Sequence, residues 1–182
     1  MIKSFCLFLS AFLLFSCSNT EQPQIPENKK PKENLKQDFI DFNKGYMEFE
    51  EIEIKDYIDS LQLDMKLSPM GFYYRVLREG AGQKAEKTYR AYTLVTLAPL
   101  HSNPCSDYIE KPKDFVLGAS NVIIGLEDVV LSMKVGGITD CIIPAMLAYG
   151  VSGLKGCVPS YSPVRCQVEL LKLEKVPSEN IK

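Results

Sequence analysis

Histidine is almost absent: His101 is the only one in 182 residues. One imidazole cannot supply the multi-histidine set of a typical catalytic zinc site, and it argues against a Ser-His triad. A glycine-rich phosphate loop is also missing. The 21 lysines and arginines are balanced by 23 acids, for a net charge of −2, and they form no basic stripe. Nucleic acid is therefore not an expected partner. No apolar run approaches the roughly 20 residues that an ordinary membrane-spanning helix needs. The expectation is a chain without metal or cofactor. Its hydrophobic content of 46% is sufficient for one sizeable core.

The N-terminus carries the first positive signal. Met1-Ile2-Lys3 gives a short, positively charged start, and residues 4–16 are almost wholly apolar. These are the dimensions of a signal-peptide core. The run ends in Leu14-Phe15-Ser16-Cys17, which resembles a bacterial lipobox, although Phe15 is bulkier than is usual there. This reading makes residues 1–16 a lipoprotein signal peptide and Cys17 the lipidated first residue. The chain would then sit in the cell envelope, anchored to a bacterial membrane and facing the periplasm or the cell surface. The alternative is a soluble secreted protein with a fortuitous cysteine. Residues 17–34 are polar and contain Pro23, Pro26 and Pro31, a composition suited to a flexible tether.

Residues 35–67 read as a helical extension. Leu35, Phe39, Ile40 and Phe42 suggest a first short helix, broken at Gly45. A second helix is expected from about Glu50 to Leu63, with Ile54, Tyr57, Ile58 and Leu61 on one side. Glu50, Glu51 and Glu53 fall near its start, where the helix dipole favours acids, and read as a solvated face. Ser68-Pro69-Met70-Gly71 ends this region.

Strand patterns come next. Residues 72–77 are aromatic and β-branched and close at Gly80-Ala81-Gly82; residues 89–97 form a second candidate. Residues 101–113 read as a loop. The clearest helix is 121–133, with Val122, Leu126, Val129, Val130 and Met133 on one stripe, Ser120 or Asn121 as cap, and Gly136-Gly137 after it. Residues 138–143 form a short apolar strand. Residues 164–170 alternate, with Val164, Cys166, Val168 and Leu170 on one face. The fold class is α+β: a curved antiparallel sheet wrapped around one central helix, occupying residues 71–174, with residues 175–182 as a tail.

Six pieces now stand in order without a gap: Phe115-Val116-Leu117-Gly118, Val122-Ile123-Ile124-Gly125-Leu126-Glu127, Met133-Lys134-Val135-Gly136, Ala148-Tyr149-Gly150, Val158-Pro159, and Val168-Glu169-Leu170-Leu171-Lys172-Leu173-Glu174. In this order they resemble the FKBP-type peptidyl-prolyl cis-trans isomerases. The N-terminus and the acidic preamble are similar to FKBP-type lipoproteins of Gram-negative bacteria, including those associated with gliding motility. The resemblance implies an isomerase that assists the folding of exported proteins, with proline-containing segments of those proteins as partners. The alternative is a degenerate, non-catalytic FKBP-fold lipoprotein that binds clients or acts as a scaffold in the envelope.

The chemistry so implied needs no nucleophile. Rotation about an Xaa-Pro amide faces a barrier of ~18–20 kcal/mol. The twisted amide has lost much of its charge separation, so an apolar, water-poor cradle with a few fixed hydrogen bonds favours it. Carried over by position, Val122 and Ile123 line the pocket, and the Ile123 N–H meets a substrate carbonyl. Leu126 forms the floor, and the Tyr149 hydroxyl bonds a substrate amide oxygen. Phe115, Tyr92 and Val158 complete the substrate-binding set, together with Cys166, at the position of a wall phenylalanine, and Cys105, near the position of a Phe-Asp pair. Lys113, Leu154 and Cys157 also depart from the family's pattern. After processing, Cys105, Cys141, Cys157 and Cys166 remain, and an even number in an exported chain permits disulfides. Three pairings are open, as is the alternative of four buried free thiols.

Overall fold

The computed structural model describes residues 33–103, 105, 110–119 and 122–176. The expected signal segment, Cys17, almost all of the tether, and the cap candidates Ser120 and Asn121 lie outside the described residues. The chain divides after Asp41 into two compact units. Of the first, the described part is the opening of helix α1 (Glu33–Ser60), where Leu35, Phe39 and Ile40 are exposed.

α1 runs unbroken through Gly45, where the sequence suggests a break. Glycine in a helix interior costs only about 1 kcal/mol relative to alanine. That penalty is outweighed further along, where Ile54 and Ile58 are buried with Leu100 and Ile142 in a small core of their own. Burying one such side chain stabilises by roughly 1.5–3 kcal/mol.

Six strands make up the rest: β1 (Lys66–Leu67), β2 (Tyr73–Arg78), β3 (Tyr89–Pro99), β4 (Lys111–Val116), β5 (Ile138–Ile143) and β6 (Val164–Lys175). They form one antiparallel sheet in the order β1-β2-β5-β6-β3-β4. The period-2 pattern gives the sheet two faces. Val95, Leu97, Cys141, Ile143, Val164, Cys166, Val168 and Leu170 point inward, into a core shared with helix α2 (Ile124–Ser132). α2 contributes Leu126, Val129 and Val130, with Met133 just after it. Ile142 points to the outer face, where the second half of α1 covers it.

Three differences from the expected boundaries bear on the site. β4 begins at Lys111, inside the expected loop; Lys111-Pro112-Lys113 carries no strand signature, but β4 is an edge strand and its proline removes no essential ladder bond. β6 extends to Lys175, past a register shift opposite Tyr92 and Thr93. α2 starts at Ile124, with Ile123 in extended geometry as its cap residue and no side-chain cap bond. Glu127 in its first turn accepts the Gly118 N–H at 2.8 Å, which ties the turn after β4 to the helix.

Candidate active site

The start of α2, the segment after β5 and the loop before β6 meet on the inner face of the sheet. Leu126 is only 2% exposed and belongs to the same core as Phe115, Val158 and Cys166. Val122, Ile123, Tyr149 and Cys105 are partly buried and pack against that core. Eight of the nine substrate-contact positions expected from the sequence therefore share one apolar cluster. Leu147, Ala148, Leu154 and Cys157 join them there.

Local backbone geometry explains the placement of Tyr149. A short 3-10 turn (Ala145–Leu147) comes after β5. The Ala145 carbonyl accepts the N–H groups of both Ala148, at 3.0 Å, and Gly150, at 2.8 Å, the residues on either side of Tyr149. The Tyr149 carbonyl in turn accepts the Gly153 N–H at 3.1 Å. Gly153 sits at φ +63°, and a β-carbon there would strike the backbone of Val158 and Pro159. Leu154 and Val158 exchange backbone hydrogen bonds of 2.7 and 2.8 Å, so the rim of the loop is itself closed. Gly125 lets α2 approach this segment: a β-carbon would overlap the Ile143 side chain and lie 3.2 Å from the Leu147 carbonyl oxygen.

A disulfide joins Cys105 to Cys157, with their α-carbons 5.4 Å apart. It links the loop after β3 to the rim of the Tyr149 loop. Cys141 and Cys166 are opposed on β5 and β6 but are free thiols, both fully buried. The Cys141 thiol donates to the Cys166 carbonyl at 3.3 Å. Its contact with the Cys166 thiol, and then burial, push its pKa well above the ordinary value. The four cysteines are thus neither all paired nor all free.

Tyr92 does not join the cluster. On β3 the inward residues are Ala91, Thr93, Val95 and Leu97, so Tyr92 has the opposite parity. Its hydroxyl donates to Glu174 at 2.6 Å and its ring lies beside Lys172. That bond, more than burial, raises its pKa. The inward residue level with the site is Leu97, the Cα partner of Cys166, and the Leu97 carbonyl accepts the Cys105 N–H at 3.0 Å. Strict alternation counted back from Leu97 would have found it and turned Tyr92 outward. Lys113 shares the inward parity of Phe115, and its carbonyl accepts the Thr93 hydroxyl at 3.0 Å.

The outer face has a different character. Asp140 is 2% exposed and receives bonds from both Arg75 and Arg165, at 2.7 to 2.9 Å. Asp140 holds the Arg165 guanidinium firmly charged. A cavity of about 250 Å³ opens here, lined in part by Tyr57, Asp140, Arg165 and Gln167. It shares no residue with the apolar cluster around Tyr149. Among the described residues there is no group of metal-ligating side chains, and no helix is long and apolar enough to cross a membrane.

Comparison with known proteins places this arrangement in a family. The peptidyl-prolyl cis-trans isomerase FKBP1A of Xenopus laevis is 30% identical over 108 residues, which is 58% of this chain and the whole of that protein. The model of the FKBP-type peptidyl-prolyl cis-trans isomerases matches residues 82–171. The chain belongs to the FKBP-type peptidyl-prolyl cis-trans isomerase family. Among solved structures, FkpA from Escherichia coli superposes with a TM-score of 0.60 at 24% identity, covering 82% of this chain and 76% of that one. AtFKBP13 superposes with a TM-score of 0.56 at 25% identity, covering 61% of this chain and 99% of that one.

Proposed function

We propose that this protein catalyses cis-trans isomerisation of Xaa-Pro bonds in exported polypeptides, working from a lipid anchor on Cys17 in the bacterial cell envelope. One observation carries the reading: Val122, Ile123, Leu126 and Tyr149 come together in one apolar cluster at the start of the central helix. Isomerisation needs no proton transfer and no covalent intermediate. What lowers the barrier is removal of water from the amide, together with fixed bonds to the flanking peptide that tighten as the amide twists. Leu126, Val122 and Val158 supply the apolar surface for the proline ring. The Ile123 N–H stands just outside α2, where no intrahelical acceptor serves it, and it would meet a substrate carbonyl. The Tyr149 hydroxyl would donate to the amide oxygen. Cys105 and Cys157 form the side wall as a covalent link.

A prolyl isomerisation assay with several residues before proline tests the reading, with Tyr149→Phe and Leu126→Ala alongside. The wild-type chain should exceed the uncatalysed rate on at least one peptide. Tyr149→Phe should lose about tenfold in kcat/KM, the equivalent of one hydrogen bond of roughly 1.4 kcal/mol. A wild-type rate equal to the background on every peptide would remove catalysis. It would leave a client-binding role. The anchor is tested separately: labelled palmitate should be incorporated by the wild type and not by Cys17→Ser.

A further inference from the structure

We propose that Glu50 and Tyr46, on the helical extension, are positioning residues for the prolyl site, holding the segment that carries Tyr149 from both of its ends. The inference rests on the isomerase reading above and adds a part of the chain that lies outside the matched residues 82–171.

Glu50 is out of place as an ordinary surface acid. It is 3% exposed, whereas Asp38, Asp41, Glu48, Glu51, Asp56 and Asp59 of the same helix are exposed and Glu53 is half-buried. Burying a carboxylate is costly unless a polar partner meets it. Here the Glu50 Oε1 accepts the buried N–H of Ala145 at 2.6 Å, the first residue of the turn that leads to Tyr149. That N–H stands at a turn start, where the backbone supplies no acceptor of its own. The Ala145 carbonyl then holds the amides of Ala148 and Gly150 on either side of Tyr149. One residue is thus fixed to α1 through its N–H and to the flanks of Tyr149 through its carbonyl.

Tyr46 holds the far end. It lies four residues before Glu50, on the same face of the helix. Its hydroxyl donates to the Tyr161 carbonyl, and its ring packs against Tyr161 with centroids 4.9 Å apart. The Tyr161 N–H donates to the Gly150 carbonyl at 2.8 Å. Tyr161 itself has φ +55°, a conformation that a bulky residue keeps only where its surroundings hold it. Phe42 adds an edge contact to the same ring at 6.3 Å. One helical turn of α1 therefore grips both ends of the loop, and Tyr149 sits between the two grips. Displacing a substrate-contacting group by about 1 Å can cost on the order of a hundredfold in rate.

The test uses the full-length chain with Glu50→Ala, Glu50→Gln and Tyr46→Phe. Residue-resolved amide exchange is the first readout. In Glu50→Ala the amides of Ala145, Ala148 and Gly150 should exchange at least tenfold faster, while that of Val168 in the central strand stays unchanged. Glu50→Gln, whose amide oxygen still accepts, should recover most of that protection. Tyr46→Phe should loosen Gly150 and Tyr161 by a smaller factor, and it decides the matter if Glu50→Ala does not fold. The second readout is kcat/KM, expected to fall about tenfold in Glu50→Ala and to recover in Glu50→Gln. On a Tyr149→Phe background, Glu50→Ala should cost little more, because its effect passes through Tyr149. Unchanged loop exchange in Glu50→Ala and Tyr46→Phe would overturn the proposal. So would an equal rise in exchange throughout the core, or an additive loss on the Tyr149→Phe background. An inactive wild type with the loop-specific exchange pattern would overturn the isomerase reading and leave the positioning intact.

Discussion

Reducing the Cys105–Cys157 disulfide should destabilise the protein by about 4 kcal/mol. The bridge closes a loop of 52 residues. Cross-linking removes unfolded-chain entropy of about 2.1 + 1.5R ln n cal/mol/K, which for this loop is roughly 14 cal/mol/K, or about 4 kcal/mol at 25 °C. A domain's whole stability is about 5–15 kcal/mol, so the loss is a large fraction of it. For a domain near 100 residues, each kcal/mol moves Tm by about 4–8 °C, and the expected drop is roughly 15–30 °C. The measurement is urea and thermal unfolding with and without reductant, beside a Cys105→Ser/Cys157→Ser variant. The wild type should fall to the level of the variant when reduced, and the variant should not respond to reductant. Peptide mapping without reduction should link Cys105 to Cys157. Cys141 and Cys166 should take up a thiol reagent only after unfolding, since both are buried and the Cys141 thiol is hard to ionise. A stability loss below 1 kcal/mol, or a variant that still responds to reductant, would refute the reasoning.

The same geometry fixes three further outcomes. Gly125→Ala should destabilise by about 1–3 kcal/mol, measured by urea unfolding, because the added methyl overlaps Ile143 in a packed core. Asp140→Ala should cost about 3 kcal/mol, since Arg75 and Arg165 lose their shared partner, while kcat/KM per folded molecule stays at the wild-type level. Glu50 sets a pH dependence: burial raises its folded pKa above the ordinary 4.5, the Ala145 N–H opposes that rise, and Glu53 adds to it. The folded state therefore binds the proton more tightly than the unfolded chain. The resulting stability is fully present below about pH 4.5 and is lost as pH rises through the folded value. Glu50→Gln should flatten that slope in a series of unfolding curves across this window, and an unchanged slope would assign it to other groups.

Much of the fold is legible in the sequence because its signals are periodic and local. Residues 138–143 are a strand as expected, and Val164, Cys166, Val168 and Leu170 are buried on one face as their alternation implies. The stripe of Leu126, Val129, Val130 and Met133 is the buried side of α2 and of its C-terminal cap. The departures lie where tertiary packing overrides a local rule. Gly45 reads as a break, yet burial further along α1 sustains the helix. Lys111-Pro112-Lys113 reads as loop, yet β3 offers it a free edge to pair with. Tyr92 suits the proline pocket by residue type, and its parity on β3 turns it away.

The candidate site is less legible, for a chemical reason. Isomerisation of a prolyl amide calls for apolar side chains, and these have no signature apart from the core they extend. Only the order of the six motifs separates Val122, Ile123 and Tyr149 from ordinary interior residues. Glu50 shows the limit from the other side. It lies among Glu48, Glu51 and Glu53, and no pattern distinguishes it there. Its partner Ala145 is 95 residues away and contributes only a backbone N–H, a group that every residue but proline carries. A contact of that kind leaves no trace in residue type at one of its two ends. It becomes visible only when the fold brings the helix face of Tyr46 and Glu50 against the loop. For this reason the extension, which reads in sequence as a solvated acidic preamble, is where the geometry adds most to the reading of the site.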